Sequence, residues 1–240
     1  MYPRAVLTLR QRRTLGQPFD GRFFERSGLF WPIARGAEKF AKYTDWPDVA
    51  EYARVFHQAP VVRFVAEPPR VRRRAKRRGP SALLDPHALY DGRIALAGSV
   101  PTRPRSWHDF LNALVWGAFP RAKTRLHARQ HAAIVRSLPP GARTLPPARS
   151  RQHDALALVD EGGVIVLDDE RGRALRVVFG HAIFEGLVLD VRATVARAVC
   201  ARVDCIPENV DERVALADEV LAAWLAAEGM VPEDLPRIAL

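Results

Sequence analysis

The stretch from Ser106 to Phe119, SWHDFLNALVWGAF, constrains the fold more than any other part of the chain. At the helical repeat, Trp107, Phe110, Leu111, Leu114, Val115 and Ala118 fall on one broad arc, the core-facing stripe of a helix. The flank beside it carries His108, Asn112 and Trp116 at i, i+4 and i+8, with Asp109 next to His108. A helix with a tryptophan outside its apolar stripe must be covered on both sides, so these polar groups face protein. Buried polar groups are costly unless partnered. Two readings follow. Asp109 caps the helix through the near capping box Ser106-x-x-Asp109 while His108 and Asn112 bind loop backbone, or the three residues form one wall of a site.

A second segment repeats the theme. Phe179 to Gly186, FGHAIFEG, puts His181 and Glu185 one turn apart on the same helical face. Such a pair is a self-satisfied hydrogen bond in the core, two ligands of one metal, or a base with its orienting carboxylate. His181 and Glu185 are the ligands the sequence offers if a metal is bound, and it names no cofactor. If both polar sets serve one site, the helices at 106–118 and 180–188 must touch. His127 and His131 form one more i, i+4 pair, on a helix basic enough that they are expected to be exposed.

The chain has 240 residues, 48% of them hydrophobic, which suffices to bury a sizeable core. No apolar run approaches the roughly 20 residues of a membrane span, and the arginines among the first fifteen residues do not suit a secretory signal. Cys200 and Cys205 match neither a zinc knuckle nor a disulfide framework. These features point to a cytoplasmic protein with reduced thiols and no membrane partner. Helices are expected over 28–43, 46–58, 106–118, 121–138, 175–189 and 209–228, and strands over 61–66 and 191–203. Segments 155–159 and 164–167 read as a hairpin around Gly162-Gly163, while 88–97 fits a strand or a helical turn. Prolines at 139, 140, 146 and 147 mark a linker over 139–152, between a helical part at 1–138 and a hairpin-plus-helix part at 153–240. The two parts are expected to pack as one domain. The expected class is α+β, helix-dominated, with a small antiparallel β element.

The formal net charge of +10 rests almost wholly on arginine in an alanine- and proline-rich chain, so part of it reflects codon bias. One run is local: Arg70, Arg72, Arg73, Arg74, Lys76, Arg77 and Arg78 lie within nine residues flanked by prolines. Such density favours a solvated loop. An anionic ligand or nucleic acid is the functional alternative, although no aromatic interleaves the run as single-strand binders require.

Val100-Pro-Thr-Arg103, then His108-Asp109 with Asn112 and Trp116, then Phe119-Pro-Arg-x-Lys123 together resemble the bacterial family known as domain of unknown function 3025. Gly180-His-Ala-x-x-Glu185 is similar to a second stretch of that family. The resemblance is best between residues 85 and 190. It implies that His108, Asp109, Asn112, His181 and Glu185 stand at the family's most recognisable positions, and it adds Asp154. There the family's Arg-Asp-Ala triplet stands as His153-Asp154-Ala155, with the arginine displaced to Arg151. His127 replaces the family's usual asparagine, and the Pro-Gly-Trp tail is missing. The family carries no established activity, so the resemblance says where to look rather than what happens there.

Three functions remain. An enzyme would draw acid–base groups from His108, Asp109, Asn112, Asp154, His181 and Glu185, with or without a metal. An RNA-binding protein would use the run at 70–78 and the helix at 121–136. A scaffold or interaction protein would need neither. No nucleophile elbow, phosphate-binding loop, dinucleotide fingerprint or zinc signature is present. Polar residues on apolar helices are a poor way to build a scaffold, which puts the enzyme first.

Overall fold

Caps and prolines set the helix boundaries in the computed structural model, which describes residues 18–67, 83–191, 196–227 and 229–240. The α-helices are α1 (Ala34–Ala37), α2 (Tyr90–Ala97), α3 (Trp107–Ala118), α4 (Pro120–Ser137), α5 (Arg151–Gly162), α6 (His181–Val188) and α7 (Val210–Ala226). The strands are β1 (Arg63–Ala66), β2 (Ser99–Thr102), β3 (Gly163–Asp169), β4 (Ala174–Val178), β5 (Ala196–Val203) and β6 (Arg237–Ile238). Ser106 and Ser150 cap α3 and α5, and Asn209 caps α7. α4 starts on Pro120, where the missing N–H costs nothing. Its next two N–H groups, of Arg121 and Ala122, donate to the Asp218 carboxylate on α7 at 3.1 and 2.8 Å. That long-range cap locks α4 against α7.

Helix dominates, as expected, but the β element is not simply antiparallel. β1 and β2 form a two-stranded parallel sheet, and the larger sheet runs β4-β3-β5-β6. β3 pairs antiparallel with β4 and parallel with β5. The reason is connectivity: α6 lies between β4 and β5 and supplies the crossover that a parallel pair needs.

Residues 155–159 are helical rather than a hairpin strand. Ala155, Leu156 and Val159 lie at helical spacing and all three are buried, while the alternation that suggested a strand is incidental. The hairpin is β3–β4, turning at residues 170–173. Residues 175–178 accordingly belong to β4 and only 181–188 to a helix. The expected helices at 28–43 and 46–58 are instead a series of 3-10 and single α turns. Pro32 interrupts the first, and repeated turning lets Phe23, Phe30, Phe40 and Tyr52 all reach the core. Segment 88–97 resolves as helix. The basic run 70–78 lies outside the described residues.

One buried cluster takes side chains from both sides of the proline-rich 139–152 segment. At its centre Phe110 meets Phe19, Phe23, Phe40, Tyr52 and Trp107, several of them edge to face. No described helix is long and apolar enough to cross a membrane.

Asp169 fastens the hairpin. Its carboxylate accepts from the backbone N–H groups of Arg171, Arg173 and Ile206 and from Arg173 Nε. Burial alone would raise its pKa, but these donors bring it down to about 2. A depressed folded pKa means stability that is present above the unfolded value and lost as pH falls through the folded one. Asp169→Asn should therefore lower the melting temperature at neutral pH and make the decline between about pH 4 and pH 2 shallower than in the parent. Thermal melts across that range check it.

Candidate functional site

α6 approaches the start of β3 so closely that only glycine fits at its N-cap. A Cβ on Gly180 would lie 2.5 Å from the Glu161 carbonyl oxygen and from the Gly163 nitrogen. The N–H groups of Phe179 and Gly180 both donate to the Gly163 carbonyl, at 3.0 and 2.8 Å. This contact delivers His181, the first residue of α6, to the last turn of α5, while α6 also packs along α3.

The two polar helices therefore meet, and they meet at the histidines. His108 Nε2 and His181 Nε2 are 3.0 Å apart. The Glu161 carboxylate lies 3.9 Å from the first and 3.6 Å from the second. Among the described residues this is the one group of three potential metal ligands that converges within 4.8 Å. Two imidazole nitrogens bound to one ion at about 2.0–2.1 Å would sit roughly 2.8–3.4 Å apart at octahedral to tetrahedral angles. The observed separation suits that. Glu161, with 52% of its side chain exposed, can close the remaining gap by rotating.

Each histidine is backed by a carboxylate. His108 Nδ1 is 2.8 Å from Asp109 Oδ1. Arg103, in the turn after β2, holds Asp109 through its backbone N–H and its guanidinium. Asp109 thus turns toward Arg103 rather than back to Ser106, so only half of the expected capping box forms. Burial would lower the His108 pKa, but the hydrogen bonds and charges of Asp109 and Glu161 raise it to about 9. Burial likewise opposes ionisation of Asp109, yet His108 and Arg103 hold its pKa far below the usual carboxylate range. The cluster favours a positive charge between its imidazoles. His181 Nδ1 lies 3.7 Å from Asp160. Asp160 is kept ionised despite its burial chiefly by Lys123, and then by His181.

Lys123 is wholly buried and joins three helices: its ammonium donates to Asn112 Oδ1 on α3 at 2.8 Å and to Asp160 Oδ1 on α5 at 2.6 Å. The Asn112 amide reaches the Tyr90 hydroxyl on α2 at 3.4 Å. Tyr90, His108, Asn112, Asp160, Glu161 and His181 all line one cavity of about 680 Å³.

Of the expected site residues, His108, Asp109, Asn112 and His181 are brought together here. Glu185 is buried one turn farther along α6, where its charge acts on Arg103. The carboxylate that joins the histidines is Glu161 instead. Asp154 is exposed in the first turn of α5 and does not line the cavity. His127 and His131 are buried rather than exposed, because the arginines of α4 occupy its other faces. Glu161 and Asp160 are not legible as site residues in the sequence, where 160–163 reads as a hairpin turn. The buried spacing of Ala155, Leu156 and Val159 was the signal for a helix that would aim them inward.

Two imidazoles and a carboxylate, each imidazole with its own acidic neighbour, define a candidate metal-binding, acid–base centre. A family described as a protein of unknown function (DUF3025) matches residues 80–176, which bears out the resemblance over that stretch. It includes Asn112, His108 and Glu161, while His181 lies just beyond it. No curated protein and no solved structure matches the chain.

The Lys123–Asp160 contact makes a sharp prediction. Lys123→Met should destabilise by about 3–5 kcal/mol, because Asp160 is left largely buried without its cation. Adding Asp160→Leu should restore much of the loss, as equilibrium urea unfolding of both variants would show.

Proposed function

We propose that the protein is an enzyme whose centre uses a divalent cation held by His108, Glu161 and His181, with chemistry of the acid–base, water-activating kind. The observation that carries this reading is the convergence of the two Nε2 atoms, 3.0 Å apart, with the Glu161 carboxylate beside them. With Nδ1–H of His108 held by Asp109, the proton that a cation would displace is the one on Nε2, which leaves a lone pair there facing His181. A cation between the rings satisfies both nitrogens. Acidic partners behind metal-binding histidines fix the tautomer and raise ligand basicity, the role of Asp109 for His108; Asp160, 3.7 Å from His181 Nδ1, stands behind that ring as a neighbouring charge.

A three-residue ligand set leaves coordination positions for water and substrate, the mark of catalytic rather than structural sites. When bound, the ion would polarise a substrate oxygen or lower the pKa of a water. The protein's own share is to orient the imidazoles, keep Asp160 charged through Lys123, and enclose the substrate in the cavity. A soluble, cytoplasmic setting with reduced thiols belongs to the same proposal; Cys200 and Cys205 are free and exposed.

The RNA-binding alternative draws less support from helix α4. Arg121 pairs with Glu219, Arg129 donates to the carbonyls of Leu225 and Ala227, and Arg136 bonds Gln152. Arg129 and Arg136 thus serve contacts within the protein, while Arg121 stays mostly exposed beside Glu219.

Calorimetric titration of metal-free protein with Zn²⁺ and Mn²⁺ tests the proposal. One ion should bind per chain and raise the melting temperature. His181→Ala and Glu161→Gln should each weaken binding by more than ten-fold, and Asp109→Asn by about 10–100-fold as a supporting residue. Equal affinity in the parent and in His181→Ala would overturn it.

A further inference from the structure

The wall of the same cavity holds a second set of polar groups that the ion does not use. Lys123, His127, Gln130 and Ile134 follow one another along a single face of α4, and the last three line the cavity. His127 Nδ1 is 2.9 Å from Asp91 Oδ1 on α2, so the ring proton sits on Nδ1 and Nε2 presents a lone pair. Burial first, then the charge of Lys123, lowers the His127 pKa and keeps the ring neutral. Trp116 stacks on it, with centroids 5.4 Å apart and planes at 9°, and fixes its orientation.

Nε2 of His127 and Oε1 of Gln130 are both buried without a hydrogen-bond partner. The residues are 1% and 5% exposed. Buried polar atoms are almost always paired, so two orphaned acceptors one helical turn apart, in a cavity wall, are the imprint of an absent donor. We propose that this part of the cavity wall is a subsite for a neutral, hydroxyl-bearing part of the substrate, of polyol or sugar-like chemistry.

Charge selects among donors. Asp91, Asp160 and Glu161 line the cavity and disfavour an anion. An ammonium group beside His127 would be opposed by Arg149 in the wall and by the charge of Lys123 behind it, one turn before His127. A hydroxyl suits both acceptors and can in turn accept from the Tyr90 hydroxyl, which lies in the same wall. Along α4, His127 follows Lys123 by one turn and Gln130 by two, about 6 and 10 Å of axial rise.

The role as a substrate subsite rests on the cavity being that of a metal-assisted enzyme, but occupancy is measured without turnover. Ligand-observed NMR with metal-loaded protein would compare methyl glucoside and myo-inositol with glucuronate and glucosamine. The neutral probes should bind, and Gln130→Leu, close in volume, should weaken them at least ten-fold while leaving zinc affinity unchanged. His127→Phe should act alike, with circular dichroism reporting whether it folds. No binding of either neutral probe, preference for the charged ones, or unaltered binding by folded Gln130→Leu would overturn the subsite. Zinc binding without sugar binding sinks the subsite alone, and sugar binding without zinc binding sinks only the metal reading.

Discussion

A lysine with no access to water sits where α3, α4 and α5 meet, and the candidate site is built around it. Removing an ammonium group from water is expensive, and partners must offset the cost. Lys123 finds them in Asp160 and Asn112. Once this pair forms, Asp160 is fixed beside His181 and the following residue, Glu161, projects toward both histidines. Asn112 carries the network on to Tyr90. The buried charge thus sets the relative register of three helices, and it places the acid that stands behind one imidazole. The other imidazole has its own line of support, from Arg103 through Asp109.

Gly180 is the second constraint. Its backbone lies against the α5–β3 junction at a distance that no side chain tolerates. The placement of His181 therefore depends on an atom that is missing rather than on one that is present. The centre is assembled from three regions separated in sequence: the turn after β2 with α3, the end of α5, and the start of α6.

The sequence reveals the helix at 106–118 and its unusual flank, because a broad apolar arc next to His108 and Asn112 is a local pattern. His181 was equally visible in its Gly-His-Ala setting. Glu161 was not, since 155–159 fits alternation as well as helical spacing, and only the Ser150 cap and the burial of Ala155, Leu156 and Val159 decide between them. Lys123 looked like one more cation on a basic helix; its burial is a tertiary fact, set by two partners on other helices. The parallel pairing of β3 with β5 was hidden for the same reason, because the crossover helix had been merged with β4 into one long helix at 175–189. Local caps and periods are readable, whereas the choice of face and partner is made by packing.

The cluster of His108, Glu161 and His181 is the claim on which the functional account stands, and X-ray absorption at the zinc edge of the zinc-loaded protein tests it most directly. The account predicts a first shell of nitrogen and oxygen at about 2.0–2.2 Å with imidazole scattering from two rings, lost in His108→Ala. A shell with sulfur at about 2.3 Å, as binding to the exposed Cys200 or Cys205 would give, or a spectrum unchanged in His108→Ala, would contradict it.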